Sequence, residues 1–238
     1  MTTFAELGIP FPLYEGKVEQ TNYAGLGICS LCGVSDRHCF HLGVGDFLIE
    51  PCPKCSALTG LDAADCLGGT CLYCQTILPF PLLHSYTDEG TIRVCHSCLR
   101  AGRVAMNRDT EYGPLQWEDA VQGHLGGWLH SWKRNGDDVW CSIRLSAGDL
   151  WTLLQTPLYD SNQGALWQFC GTTPMTYVGQ WMQEDFHQHA PNGDGKAFYQ
   201  RLVYDKNAPW DCVGENTICV YVFRCSKCGG YKVHWDMD

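Results

Sequence analysis

The sequence predicts an α+β protein with a cysteine-rich N-terminal part and a mixed α/β C-terminal part that ends in a β-hairpin. Three observations predict it. Ten of the 16 cysteines fall in five Cys-x-x-Cys pairs, and four of those pairs crowd into residues 29–98. The stretch 99–224 holds no such pair and instead carries alternating helix-like and strand-like runs. Two β-branched and aromatic runs, TICVYVFRC and GYKVHWDMD, close the chain around the turn CSKCGG.

Taken in order, residues 1–28 carry Pro10, Pro12 and four glycines and read as an extended lead-in. LRAGRVAMNRDTEYG reads as a short helix ended near Gly113, and QWEDAVQG as a second helix. Gly136, Asp137 and Asp138 mark a turn before the strand-like VWCSIRL. Ser146 and Asp149 have capping-box spacing, LWTLLQ follows as the helix, and Pro157 stops it. ALWQFCG and MTYVGQW read as strands, WMQEDFHQH as a helix and PNGDG as a loop. GKAFYQRLVY fits either helix or strand. The change in cysteine density places a boundary near residue 104, giving a region 1–104 and an α+β domain 105–238.

Composition narrows the function. At 26.6 kDa the chain has room for one large domain or two small ones, and 45% apolar against 18% charged residues excludes a disordered chain. No run of 18 apolar residues is present, and MTTFAELGIPFPLYEG lacks the basic start and apolar run of a signal peptide, so a cytoplasmic protein with no membrane partner is expected. In a reducing compartment, cysteines in pairs point to metal ligands rather than disulfides. A net charge of −10 argues against a nucleic-acid binder driven by phosphate attraction.

Two cysteines three apart place both sulfurs on one ion when the backbone between them turns tightly, and Gly33 after Cys32 fits that need. Zinc takes four such sulfurs in a tetrahedron, so Cys29/Cys32, Cys52/Cys55, Cys71/Cys74 and Cys95/Cys98 make two closed sites of zinc-ribbon type. Spacing leaves three pairings open. The inner two pairs are 15 residues apart, and the sequential gaps are 19 and 20. A thioredoxin-type dithiol is the redox alternative, and Cys95/Cys98 does precede a helix, but one redox site does not explain four clustered pairs. A closed four-thiolate site has no open position and does no chemistry; it stabilises a glycine-rich segment with little core, and adds about −2 of charge. Cys225/Cys228 needs two more ligands, with Cys170, Cys212, Cys219, His187, His189 and His234 as candidates, or it is a turn with two reduced thiols.

No catalytic constellation accompanies these pairs. Asp88/Glu89, Glu118/Asp119, Asp137/Asp138 and Glu184/Asp185 are sequence neighbours that do not converge on a point, so they read as solvated surface. His187 and His189 share a face only on a strand, and a surface or capping role suits them better. HEXXH, GxGxxG, P-loop and GxSxG motifs are absent, and PNGDG lacks the later acidic residues of a calcium loop. Most of the nine tryptophans read as core, with one or two available to a partner.

Several segments resemble the CbrC-like family, bacterial proteins linked with tolerance to colicins. They are CSLCG at 29–33, VCHSCLRAG at 94–102, TPLYDSNQGALWQFCG at 156–171, MTYVGQW at 175–181 and VFRCSKCGGYKVHWDMD at 222–238. Shorter members run from the first pair almost directly to one like Cys95/Cys98. This implies that Cys29, Cys32, Cys95 and Cys98 form one site, and that Cys52, Cys55, Cys71 and Cys74 belong to an inserted zinc ribbon at about 50–80. Two zinc ions are expected. In the family a second cysteine follows the one matching Cys170, where this chain has Thr172, Thr173 and Pro174, a departure that counts against a third. The resemblance implies a non-enzymatic immunity or antitoxin-type protein that binds a toxin, a basic nuclease being the partner expected, and covers its active site. Asp137, Asp138, Glu184 and Asp185 are the carboxylates expected to meet it. A zinc-ribbon adaptor with another protein partner, a zinc-dependent nucleic-acid-binding protein and an enzyme are the alternatives. Between residues 29 and 104, five basic residues against seven acidic weigh against nucleic acid.

Overall fold

A computed structural model describes residues 2–43, 46–49, 83–85, 92–106, 108–115, 124–125, 132–134, 137–139, 143–203, 208–214 and 218–237. It mixes helices and sheets, an α+β architecture with a cysteine cluster in the N-terminal part and a C-terminal β-hairpin. The chain forms two compact units, one of Thr21–Leu158 and one of Met1–Gln20 with Tyr159–Asp238. Residue 104 lies inside the first of these.

In the unit Thr21–Leu158, β1 (Tyr23–Gly27), β2 (Arg37–His41) and β5 (Arg93–Cys95) form an antiparallel sheet in the order β1-β2-β5. A second antiparallel sheet holds β4 (Leu83–Ser85), β3 (Phe47–Ile49) and β6 (Val104–Ala105), with Ile49 opposite Leu83 and Phe47 opposite Ala105. Short hairpins follow: β7 (Asp109–Thr110) with β8 (Gly113–Pro114), and β10 (Trp132–Arg134) with β11 (Asp137–Val139). β9 (His124–Leu125) pairs with β12 (Ile143–Arg144). Helix α1 (His96–Arg100) starts directly after β5. It is far shorter than the run 99–113 suggested, because β6, β7 and β8 take that stretch into strand pairs. The expected helix QWEDAVQG lies outside the described residues. Asp137 and Asp138 belong to β11 rather than to a turn.

Helix α2 (Ala147–Leu154) forms where expected. Ser146 Oγ accepts from Asp149 N at 3.0 Å and donates to the Asp149 carboxylate at 2.8 Å. Its apolar residues Leu150, Trp151, Leu153 and Leu154 are buried, as are Phe40, Leu42, Val94, Leu99, Val104 and Met106 in the same unit. Met106 N donates to Leu154 O at 2.9 Å, and the fully buried Arg108 guanidinium donates to the carbonyls of Leu153 and Thr156. Arg108 thus reinforces the helix end, adding a second donor to Leu153 O, which already accepts from Thr156 N at 3.1 Å, and one to Thr156 O.

In the other unit, the expected strand ALWQFCG is split into β13 (Leu166–Trp167) and β14 (Phe169–Cys170), and β14 turns back into β15 (Thr173–Pro174). The main antiparallel sheet runs β16 (Thr176–Gln180), β17 (Ile218–Arg224), β18 (Tyr231–Met237), the last two being the predicted hairpin. Helix α3 (Gln183–His189) and helix α4 (Gly195–Leu202) lie either side of the predicted loop. Of the ambiguous run 195–204, Gly195–Leu202 is helical because Asp194 caps it, accepting from Ala197 N at 2.9 Å, and Phe198 and Tyr199 face the core.

The lead-in is part of this unit's core. Phe4, Phe11, Tyr14 and Val18 are buried. Glu15 N donates to Tyr177 O at 2.8 Å and Tyr177 N to Leu13 O at 2.9 Å. Tyr159 stacks on Tyr177 at 4.6 Å and packs against Trp167, Tyr221 and Phe223. A neighbouring cluster joins Trp181, Phe186, Phe198, Tyr199, Val220 and Val222. A Cβ on Gly195 would lie 2.6 Å from His187 N and 2.9 Å from its Cα, so α3 and α4 approach through backbone. Gly195→Ala should destabilise this unit by about 1–3 kcal/mol, read as a lower chemical-denaturation midpoint with unchanged slope.

Candidate metal centres

The loop after β1 and the start of α1 bring four cysteines together. The Sγ atoms of Cys29, Cys32, Cys95 and Cys98 all lie within 4.8 Å of one another. Cys29 to Cys98 and Cys32 to Cys95 are each 3.9 Å. With Zn–S bonds of about 2.3 Å, a tetrahedron of sulfurs has edges of about 3.8 Å, so the thiols are already spaced for one ion. Cys29, Cys95 and Cys98 are buried and Cys32 is exposed.

Local backbone explains the placement. Cys29 N donates to Val34 O at 3.0 Å, and Gly33 N returns to Cys29 O at 2.8 Å. Gly33 makes this turn at a φ of 70°, a conformation that favours glycine. Cys95 N donates to Cys29 Sγ at 3.3 Å. Burial works against ionising Cys29, yet the backbone N–H groups of Cys95, Cys32 and Leu31 hold its thiol down at about 7. Cys98 moves the other way, pushed up by burial and then by Cys95 and Cys29. Thiols this close compete for charge, and a divalent cation among them removes the conflict.

Cys39 went unremarked in the sequence, where it belongs to no pair. It sits in β2 directly opposite Cys95, fully buried, and burial followed by the nearby Cys29 and Cys95 raises its thiol to about 11. It lines the cluster as a neutral thiol and stands outside the four.

A second cluster joins Cys170 of β14 to the β17–β18 turn. The Sγ atoms of Cys170, Cys225 and Cys228 lie within 4.8 Å of one another, with Cys170 to Cys228 at 3.8 Å. The turn repeats the first one bond for bond. Cys225 N donates to Gly230 O at 2.8 Å, Gly229 N to Cys225 O at 2.9 Å, and Gly229 has a φ of 70°. Gly230 N also donates to Cys228 Sγ at 3.4 Å. The backbone N–H of Cys228, helped by that of Lys227, draws the Cys225 thiol down to about 7, while hydrogen bonds with Cys225 and Cys228 push Cys170 up to about 11.

Of the candidates to complete this pair, the structure brings in Cys170 alone. His187 Nδ1 meets Gly193 O at 2.9 Å and Gly195 N at 3.1 Å, locking the α3–α4 loop. His189 stacks on Trp181 at 4.4 Å, with Nδ1 2.8 Å from Asp185 O. His234 lies over the Tyr221 ring, and burial lowers its pKa. Cys219 is opposite Asp236 in the β17–β18 ladder, and Cys212 lies in the 3-10 turn Trp210–Cys212. No fourth His, Cys, Asp or Glu joins the cluster among the described residues.

Cys52, Cys55, Cys71 and Cys74 lie outside the described residues. Of the expected partner-facing carboxylates, Asp137 is paired in register with Arg134 and Asp138 with Lys133 in the β10–β11 ladder. Glu184 is exposed on α3. Asp185 caps that helix, its carboxylate accepting from Met182 N at 2.8 Å.

Among the described residues no helix is long and apolar enough to cross a membrane. No curated protein and no solved structure matches the chain. Residues 63–237 match the sequence model of the Uncharacterised protein family (UPF0167), a span that carries Cys95, Cys98 and the whole of the second cluster, and the chain belongs to that family.

Proposed function

We propose that the protein is a non-enzymatic, zinc-stabilised immunity or antitoxin-type protein of the CbrC-like kind, which binds a basic nuclease toxin and covers its active site. The observation that carries this reading is the four-thiol cluster combined with the chain's charge. Four sulfurs leave a bound ion no open position, which suits a staple rather than a catalyst. An all-sulfur tetrahedral set selects zinc or iron–sulfur chemistry, and a single ion favours zinc. With thiolates added to the formal −10, the protein offers a basic enzyme a strongly acidic surface.

Opposite-charge steering makes association fast and sensitive to salt. The on-rate for the product of a neighbouring toxin gene should fall steeply between ~0.01 and ~0.15 M ionic strength, as the Debye length shrinks from about 30 to about 8 Å. The off-rate should change less, because buried apolar anchors hold it. Stopped-flow association, with cell rescue on co-expression, checks this. Failure to rescue, or turnover of the toxin, overturns the reading. Glu184→Gln is the substitution to use on α3, since Asp185→Asn would also weaken a cap worth about 0.5–2 kcal/mol.

A second reading, a zinc-ribbon adaptor for another protein, draws on Leu26, Ile28 and Val34. These flank the first cysteine turn and are 62%, 65% and 41% exposed. Substituting all three with Ser should leave toxin rescue intact under the first reading and abolish partner capture under the second.

A further inference from the structure

We infer that Cys170, Cys225 and Cys228 form a three-thiolate metal site whose fourth position is open to exchange, and that this position takes a small thiol. Three features of this chain carry the inference.

First, the three sulfurs converge within 4.8 Å, and the Cys225–Cys228 turn has the same backbone hydrogen bonds and the same glycine conformation as the Cys29–Cys32 turn of the four-thiol cluster. In the second turn Gly230 N donates to Cys228 Sγ at 3.4 Å, a contact that suits a thiolate ligand.

Second, the facing half-site has the spacing of another such pair, with Thr173 at its second position. Cys170 and Thr173 are three apart and face each other across the two-residue β14–β15 turn, where Gly171 has a φ of 61°. Directly opposite Cys170 in the ladder, Thr173 shares its face of the hairpin and is the neighbouring position at which a cysteine would supply a fourth sulfur. A neutral hydroxyl is a weak ligand for a thiophilic ion, and this one already accepts a hydrogen bond from Lys227 Nζ at 2.7 Å.

Third, charge and access fit. Three thiolates around a divalent ion carry one net negative charge, and the Lys227 ammonium, held within the turn itself, opposes it. Cys228 is exposed and Cys170 half-exposed, so the fourth position is reachable, whereas three of the four cysteines of the other cluster are buried. Three protein ligands with solvent in the fourth place is the arrangement of zinc sites that exchange ligands rather than only hold a fold.

The exchange is a substitution with no change of oxidation state. The metal–oxygen bond to water breaks, a metal–sulfur bond to the incoming thiol forms, and the thiol proton passes to solvent. A net charge of −1 on the three-thiolate centre makes it a poor activator of water and a good acceptor of a soft donor.

The test uses the full chain with its metal exchanged for Co2+, whose sulfur-to-metal charge-transfer absorption counts bound thiolates. Titration with 2-mercaptoethanol should raise that absorption to a plateau in the wild type. Thr173→Cys, which supplies the missing sulfur, should start at the higher value and show no further rise. With zinc restored, a chromogenic chelator should remove one ion per chain in a fast phase, and Thr173→Cys should slow that phase on the order of ten-fold or more. Cys225→Ser should remove the fast phase and one ion from the total while the slow phase persists. The inference is overturned if Cys225→Ser has the same metal content as the wild type. It is also overturned if the thiol leaves the wild-type spectrum unchanged, or if Thr173→Cys releases metal as fast as the wild type. Thr173→Cys changes a half-buried hairpin position, so its near-wild-type melting serves as the folding control.

Discussion

Cys29→Ser should cost the unit Thr21–Leu158 one metal ion and its cooperative melting. Cys29 is fully buried, 3.9 Å from Cys98 Sγ, and its own Sγ accepts from Cys95 N. It therefore ties the β1–β2 turn to the β5–α1 junction. Structural zinc contributes about 10–16 kcal/mol in small metal-binding peptides, against about 5–15 kcal/mol for the net stability of a whole domain. Losing the ion removes more than the unit has in reserve. Elemental analysis should find one ion fewer per chain, and far-ultraviolet circular dichroism should lose one sigmoidal transition. Cys39→Ser is the control: equally buried and opposite Cys95, yet outside the four sulfurs. It should keep the metal and lose only about 1–3 kcal/mol from burying a hydroxyl. Unchanged metal content in Cys29→Ser, or metal loss in Cys39→Ser, would contradict the assignment.

Asp236→Ala should lower the melting temperature of the other unit by more than about 10 °C. Asp236 is 1% exposed and accepts from Asn162 N at 2.8 Å, Gln163 N at 3.2 Å and the Tyr221 hydroxyl at 3.0 Å. It holds the loop after Tyr159 against the last strand. Removing it deprives the buried Tyr221 hydroxyl of its acceptor, at about 1–3 kcal/mol, and frees the backbone N–H groups of the exposed Asn162 and Gln163, which lose the net value of a hydrogen bond, about 1 kcal/mol each. For a unit of this size each kcal/mol moves the midpoint by about 4–8 °C. Tyr221→Phe removes one donor and leaves the carboxyl with two, so its effect should be near 1 kcal/mol. Differential scanning calorimetry of the two variants checks both the size and the order. Equal melting temperatures would show that the carboxyl is not the anchor.

Local chemistry made much of the fold legible. Ser146 and Asp149 announced α2, and the alternation of β-branched and aromatic residues announced β17 and β18, because in each case the signal and the contact that satisfies it are close in sequence. The segment 99–113 misled because its helix-like composition is overridden by pairing with β3, some fifty residues earlier in the chain. The lead-in misled for a related reason. Its prolines and glycines describe a chain without regular structure, and they say nothing of Phe4, Phe11 and Tyr14 packing beside Tyr177. The four-thiol cluster was half legible: the Cys-x-x-Cys spacing identifies ligands, but spacing alone could not choose among three pairings, and the resemblance to shorter proteins pointed to the set that converges. Cys170 was one candidate among six, separated from the rest by the β14 turn that aims it at Cys228. The capping role of Asp185 was not visible, since a carboxylate in the first turn of a helix serves as cap or as free surface according to geometry alone.

The pairing of Ile49 with Leu83 has an implication for the architecture of related chains. The paired positions Ile49 of β3 and Leu83 of β4 form a doorway, with the chain leaving the sheet at one and rejoining it at the other. Where the two ends of a loop are held on paired strands, the closure term changes slowly with loop length, at about 0.6 kcal/mol for each doubling. Chain length between these two positions can therefore vary at a small closure cost, while the cysteines at 29, 32, 95 and 98 stay grouped on β2's side of the break. The same doorway offers a natural grafting point for a fluorescent or affinity module in the study of this family.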